Sequence, residues 1–181
     1  TGTAFGGVGE ARATYGDENG TAEIRVKIVK TIIVPPSEGG DPVPENAPEL
    51  FGGENVDSKA PTIIYPNNEV LLPPNMGRIE LHWYRGPNDN HNLQENTVFE
   101  VAFVNDLTDV RAYLRCELPS DIEEGTIEPN PDPVLEGGCI WEPSGAAWEY
   151  IANTNRGGEP LTMQVSGTTD EGGTKGVSGS Q

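Results

Sequence analysis

Short runs of strict apolar–polar alternation, each closed by turn residues, limit what this chain can fold into. The run from Ala22 to Ile28 sets Ala22, Ile24, Val26 and Ile28 against Glu23, Arg25 and Lys27. A period of two sends successive side chains to opposite faces of a strand, so this run has one greasy and one charged face. Upstream, Ala11, Ala13 and Tyr15 alternate in the same way, and GDENG (16–20) stands between the two runs. Alternation on both sides of an Asp/Asn/Gly turn is a hairpin signal. The period returns in RIELHWYR (78–85), VRAYLRC (110–116) and LTMQVSG (161–167). APTIIYP (60–66) and the strongly apolar TVFEVAFVND (97–106) add two more β-prone runs. Strands at near-regular spacing with turns between them predict an all-β chain folded as a β-sandwich.

One stretch breaks the pattern. Ser144 follows Pro143 and suits a helix N-cap, and good helix formers fill Ala146 to Ala152. Trp148, Ile151 and Ala152 fall on one face, and Asn155, Gly157 and Gly158 supply a stop. The expectation is one short crossover helix whose Trp148 and Ile151 cap the core. Trp83 and Phe103 are expected to fill that core.

Residues 35–59 carry Pro-rich and Gly-Gly segments and no periodicity, which reads as a partly extended linker. The expected organisation is therefore a hairpin over 1–34, a linker over 35–59 and a sandwich domain over 60–181. An isolated hairpin is marginal in water, so its apolar residues Ala22, Ile24, Val26 and Ile28 need a sheet to join. They are candidates for strand addition, with partners either in other domains of the same polypeptide or in identical subunits.

The chain has 29 acidic and 11 basic side chains, for a formal net charge of −18. Nucleic acid is excluded as a partner by that balance, since basic patches supply most of such affinity. No run is long and apolar enough for a membrane span, so membrane insertion is not expected. The chain opens on Thr1 without a leader-like segment, as a processed chain or a piece of a larger one does. Cys116 and Cys139 are the only cysteines, at the two ends of an acidic, Pro-rich excursion. They are too few for a closed zinc site, and His82 and His91 are not spaced to join them. A Cys116–Cys139 disulfide is the simplest account, and it implies an extracellular or cell-surface location.

Two resemblances add to this reading. Gly9, Ala11, Ala13 and Tyr15, followed by Gly20, Thr21, Ala22, Ile24, Val26 and Ile28, resemble the closing strands of bacterial Ig-like domains of the invasin/intimin kind. From Ala60 to Asn75, Ile79 to Trp83, Phe99 to Phe103 and Trp148 to Thr162, the text resembles a sandwich module of myxobacterial-type secreted surface proteins. The resemblance implies an Ig-like or fibronectin-type β-sandwich used as a spacer, and it brings no catalytic residues.

The chain shows no nucleophile elbow, no His-Glu-x-x-His and no phosphate-binding loop, so catalytic and metal residues are not assigned. No cofactor is expected. The acid-rich loops offer oxygens that calcium takes, but none has the spacing of a calcium loop, and calcium stays open as an alternative. The expected role is a non-catalytic structural or adhesive module. Two alternatives accompany it: a filament subunit assembled by intermolecular strand addition, and a carbohydrate-binding module using Trp141 or Trp148.

Overall fold

The computed structural model describes residues 6–73, 75–76, 79–90, 92–116, 137–153 and 159–181. Strands β1 (Gly7–Tyr15) and β2 (Glu18–Val26) form a two-stranded antiparallel hairpin. Next come β3 (Ile28–Ile33), a four-residue helix α1 (Ala47–Leu50) and the two-residue strand β4 (Glu54–Asn55). Then follow β5 (Thr62–Tyr65), β6 (Leu81–Tyr84), β7 (Val98–Val104), β8 (Thr108–Arg115) and β9 (Gly138–Trp141). Helix α2 (Gly145–Asn153), β10 (Thr162–Thr168), β11 (Thr174–Val177) and a 3-10 turn between β4 and β5 (Asp57–Lys59) complete the described elements.

The strands build an all-β sandwich of unequal layers. The larger sheet has the order β3-β8-β7-β10-β11-β4, and the smaller has β5-β6-β9. The middle of the large sheet is antiparallel, and both edge strands, β3 against β8 and β4 against β11, run parallel to their neighbours. Alternation explains the core. Phe99, Val101 and Phe103 from β7, Val110, Ala112 and Leu114 from β8, and Met163 and Val165 from β10 face inward. They meet Leu81 and Trp83 of β6 and Cys139 and Trp141 of β9. Trp83 is 1% exposed and its ring lies 5.7 Å from that of Phe99. Each such side chain contributes on the order of 1.5–3 kcal/mol by leaving water.

Helix α2 carries the chain from the small sheet to the large one. Its start is capped as the Ser144 side chain suggests: the Ala147 N–H donates to Ser144 Oγ at 3.3 Å, and the Trp148 N–H donates to the Ser144 carbonyl at 2.8 Å. Trp148 and Ile151 enter the inter-sheet core. The expected stop residues Asn155, Gly157 and Gly158 lie outside the described residues. The disulfide is present: Cys116, just past β8, is bonded to Cys139 in β9, with a Cα–Cα distance of 4.9 Å. It therefore ties the large sheet to the small one.

Two expectations change. Ile28 does not belong to the hairpin strand that contains Ala22, Ile24 and Val26. It opens β3, which pairs with β8 from Ile28 opposite Thr108 to Ile33 opposite Tyr113. The alternation runs through without interruption, so the sequence alone does not mark where one sheet ends and the next begins. The stretch read as a linker is also folded. Val43, Ala47, Leu50 and Phe51 form a second buried cluster with Val98 and Tyr113, on the outer face of the large sheet. Within α1, Ala47 and Leu50 lie three apart on one face, and Pro sits in the first turn where it is tolerated. Beyond α1, β4 joins the sheet edge, the Val56 N–H donates to the Lys175 carbonyl at 2.7 Å, and Lys175 Nζ donates to the Phe51 carbonyl at 2.7 Å. Gly176 is required there, because a Cβ on it would fall 1.9 Å from the carbonyl carbon of Lys59.

The final residues are paired as well. Met163 and Gln181 exchange two main-chain hydrogen bonds, and the Ser178 N–H donates to the Val165 carbonyl. The last run therefore continues alongside β10.

Candidate functional site

Among the described residues, the hairpin is the segment whose side chains stay exposed throughout, from Val8 to Val26. Tyr15 and Glu18 face each other across a two-residue loop whose first residue, Gly16, has φ +60°. That is the type II′ geometry, which matches the twist of the strands it joins. Every residue from Val8 to Val26 is exposed, including Val8 (54%), Ile24 (49%) and Val26 (48%). The cross-strand register sorts the two faces. Ala11, Ala13, Ala22, Ile24 and Val26 share one face with Gly7, Gly9 and Gly20. Glu10, Arg12, Glu23 and Arg25 share the other, where Arg25 Nε donates to Glu23 at 2.6 Å. Among the described residues nothing packs on the apolar face. The structure thus places Ala22, Ile24 and Val26 together in the open, and Ile28 next to them in the sandwich sheet.

The hairpin is also continuous with an open sheet edge. Only Lys27 separates β2 from β3. In a hairpin with a two-residue loop the flanking pair is hydrogen-bonded, so the even-numbered residues of β2 direct their main-chain groups at β1. In β3 the Ile28 N–H donates to Leu107 and the Val34 N–H to Tyr113, so even-numbered residues again direct theirs at the paired side, toward β8. Gly6, at the start of β1, sits against the Leu107 carbonyl, where β8 begins. β1 and β8 therefore occupy the same edge of one long ribbon. The odd-numbered residues from Asn19 to Ile33 direct their N–H and C=O groups to the opposite edge. That edge has no strand partner among the described residues.

Two clusters of titratable groups in the sandwich are engaged in holding the fold. Glu100 is a carboxylate inside the apolar run of β7 and is 6% exposed. It accepts from the Tyr113 hydroxyl at 2.7 Å and from Arg111 Nη1 at 3.2 Å, while Arg111 Nε donates to Asp109 at 2.8 Å. Burial, then the hydrogen bond to Glu100, pushes the Tyr113 hydroxyl well above its ordinary range. The hydrogen bond to Asp109 raises Arg111. Arg115 pairs with Asp170, and that hydrogen bond holds the carboxyl of Asp170 below its usual value. Sequence reasoning missed this cluster; the signal was a single Glu in the middle of VFEVAFV.

The remaining candidates are placed as follows. Trp83, Phe103, Trp148 and Ile151 lie in the inter-sheet core. Trp141 is 5% exposed and Trp148 is 8% exposed, so neither offers an open ring face to a sugar. His82 Nε2 lies 3.2 Å from Glu80, and His91 is outside the described residues. The acid-rich loop over 120–133 is outside them too. Among the described residues no three His, Cys, Asp or Glu side chains converge as a metal cluster. No helix among them is long and apolar enough to cross a membrane. A shallow cleft lined in part by Ala60, Pro61, Ile63, Pro87 and Gln181 presents no charged side chain. Fold and site together define a disulfide-tied β-sandwich with a bare β-arm. No family model, curated protein or solved structure matches the chain.

Proposed function

We propose that this chain is a non-catalytic structural or adhesive module of a secreted bacterial cell-surface protein. The observation that carries the reading is the bare arm: a regular hairpin on a sandwich, with an apolar face that the sandwich does not use. A surface of that kind is maintained for contact with another body. The inter-sheet disulfide suits an oxidising compartment, and the acidic composition keeps such a surface dispersed. Labelling of intact host cells with an antibody to the sandwich tests it. Surface labelling with the disulfide formed is expected. A chain found only in the cytosol with both thiols free would sink the reading.

A second reading, a filament subunit built by strand addition, is favoured by the open edge from Asn19 to Ile33. Electron microscopy of the purified chain at increasing concentration separates the two, because only the second yields unbranched fibres.

A further inference from the structure

We infer that the open edge of β2–β3 is the docking surface for a second copy of this chain, paired antiparallel about a two-fold axis at Ile24. The inference rests on the reading of the arm as a contact surface and names its partner. An edge strand with free N–H and C=O groups is a template for another strand. Which strand fits is decided by three features.

The first is parity. The outward groups belong to odd-numbered residues, so a hydrogen-bonded partner must also present odd-numbered residues. Only registers that pair odd with odd, and hence even with even, are allowed. Such registers keep the even-numbered sides of both copies, which carry Ala22, Ile24, Val26 and Ile28, on one face.

The second is charge. With Ile24 opposite Ile24 of the second copy, Glu23 faces Arg25 and Arg25 faces Glu23. In the same register Glu18 faces Lys30, Lys30 faces Glu18, and Lys27 faces Thr21. No charge meets its like. Moving the axis to Arg25 sets two arginines opposite each other, and moving it to Glu23 sets two glutamates opposite each other. Opposite charges across a pair favour it and like charges oppose it.

The third is extent. From Glu18 to Lys30 this register gives about twelve main-chain hydrogen bonds, two for each hydrogen-bonded pair. A typical specific interface has roughly ten. Most of this pairing is arm against arm, and the tip of each arm, Glu18 to Gly20, reaches Ile28 to Lys30 at the start of the other copy's β3. An isologous contact of this kind closes on itself as a dimer and does not propagate.

The test uses the intact chain with one added cysteine. Its own two cysteines are already bonded to each other, so a new thiol reports on its own neighbour. Even–even pairs are the non-hydrogen-bonded ones, with Cα atoms about 4.5 Å apart, within the range a disulfide spans. Ile24→Cys is expected to form a covalent dimer on mild oxidation, at least tenfold faster than Val29→Cys, which is more open but faces Asn19. Arg25→Glu should abolish the dimer in sedimentation, Glu23→Arg should do the same, and the double variant should restore it. A chain that stays monomeric at its highest soluble concentration overturns the pairing. So does equal cross-linking of the two cysteine variants, or growth beyond a dimer. None of these outcomes touches the surface-module reading, which the cell-labelling experiment decides separately.

Discussion

Residues 7–26 and residues 41–52 are short segments outside the two facing layers, and they are held in opposite ways. The first has a full antiparallel ladder and a turn of the right hand, and its side chains are exposed from Val8 onward. The second has only a four-residue helix, yet Ala47 is fully buried and Leu50 and Phe51 nearly so. Main-chain hydrogen bonds set local conformation in the arm. Burial fixes the attachment of the cover. Since the net worth of one hydrogen bond is about 1 kcal/mol and a buried aromatic is worth more, the irregular segment should matter more to the sandwich than the regular one.

That contrast breaks most visibly at Phe51, whose ring lies 5.6 Å from that of Tyr113. Phe51→Ala should cost roughly 3–5 kcal/mol, as large-to-small core changes do. Urea unfolding measures it, and a midpoint equal to the parent's would mean the cover is not part of the fold. Trp148→Ala belongs to the same class in the inter-sheet core and should lose a similar amount.

Next in size is the disulfide. Its loss should cost about 3 kcal/mol on the loop-entropy account, because the bond joins Cys116 and Cys139 across a sequence separation of 23. Melting with and without reductant reads this directly, and identical curves would show that the tie between sheets is redundant.

A smaller effect is expected at high pH. The Tyr113 hydroxyl is held above its unfolded value, so the folded state retains the proton more tightly. Its contribution is complete below about pH 10 and is lost as the pH rises further. Stability followed from pH 8 to 11 should decline in the parent and stay flatter in Tyr113→Phe. That variant should also be about 1–3 kcal/mol less stable at neutral pH, since Glu100 loses a donor. Parallel declines in the two proteins would place the alkaline sensitivity elsewhere.

The smallest effect belongs to the arm. Removing residues 6–26 should change sandwich stability by no more than about 0.5 kcal/mol, the range of surface changes. The deletion must stop at Val26, because β3 begins at Ile28. A clear drop in melting temperature would show that the arm is packed against the body.

Period two is a local property, and so it marked the strands of the sandwich and hairpin well. Leu81 and Trp83, Val110 and Ala112, and Met163 and Val165 all point to one core for that reason. What period two cannot carry is partnership. Ala22 through Ile28 is one alternating run in the text, yet Val26 faces solvent while Ile28 joins β8. The cover was hidden differently. Its apolar residues are few and set among prolines, and the prolines dominate the composition. Strand β9 was obscured by its own shortness: Gly138 to Trp141 is only four residues, too short to display a period. The open edge was outside the reach of sequence, because it depends on which side β1 and β8 take.

The Cys116–Cys139 bond has one more consequence, for the life of the molecule among proteases. Any cut in the chain between those two residues leaves both fragments covalently joined. A nicked molecule would run as a single species on a gel until reductant is added, and both sheets would still be tethered.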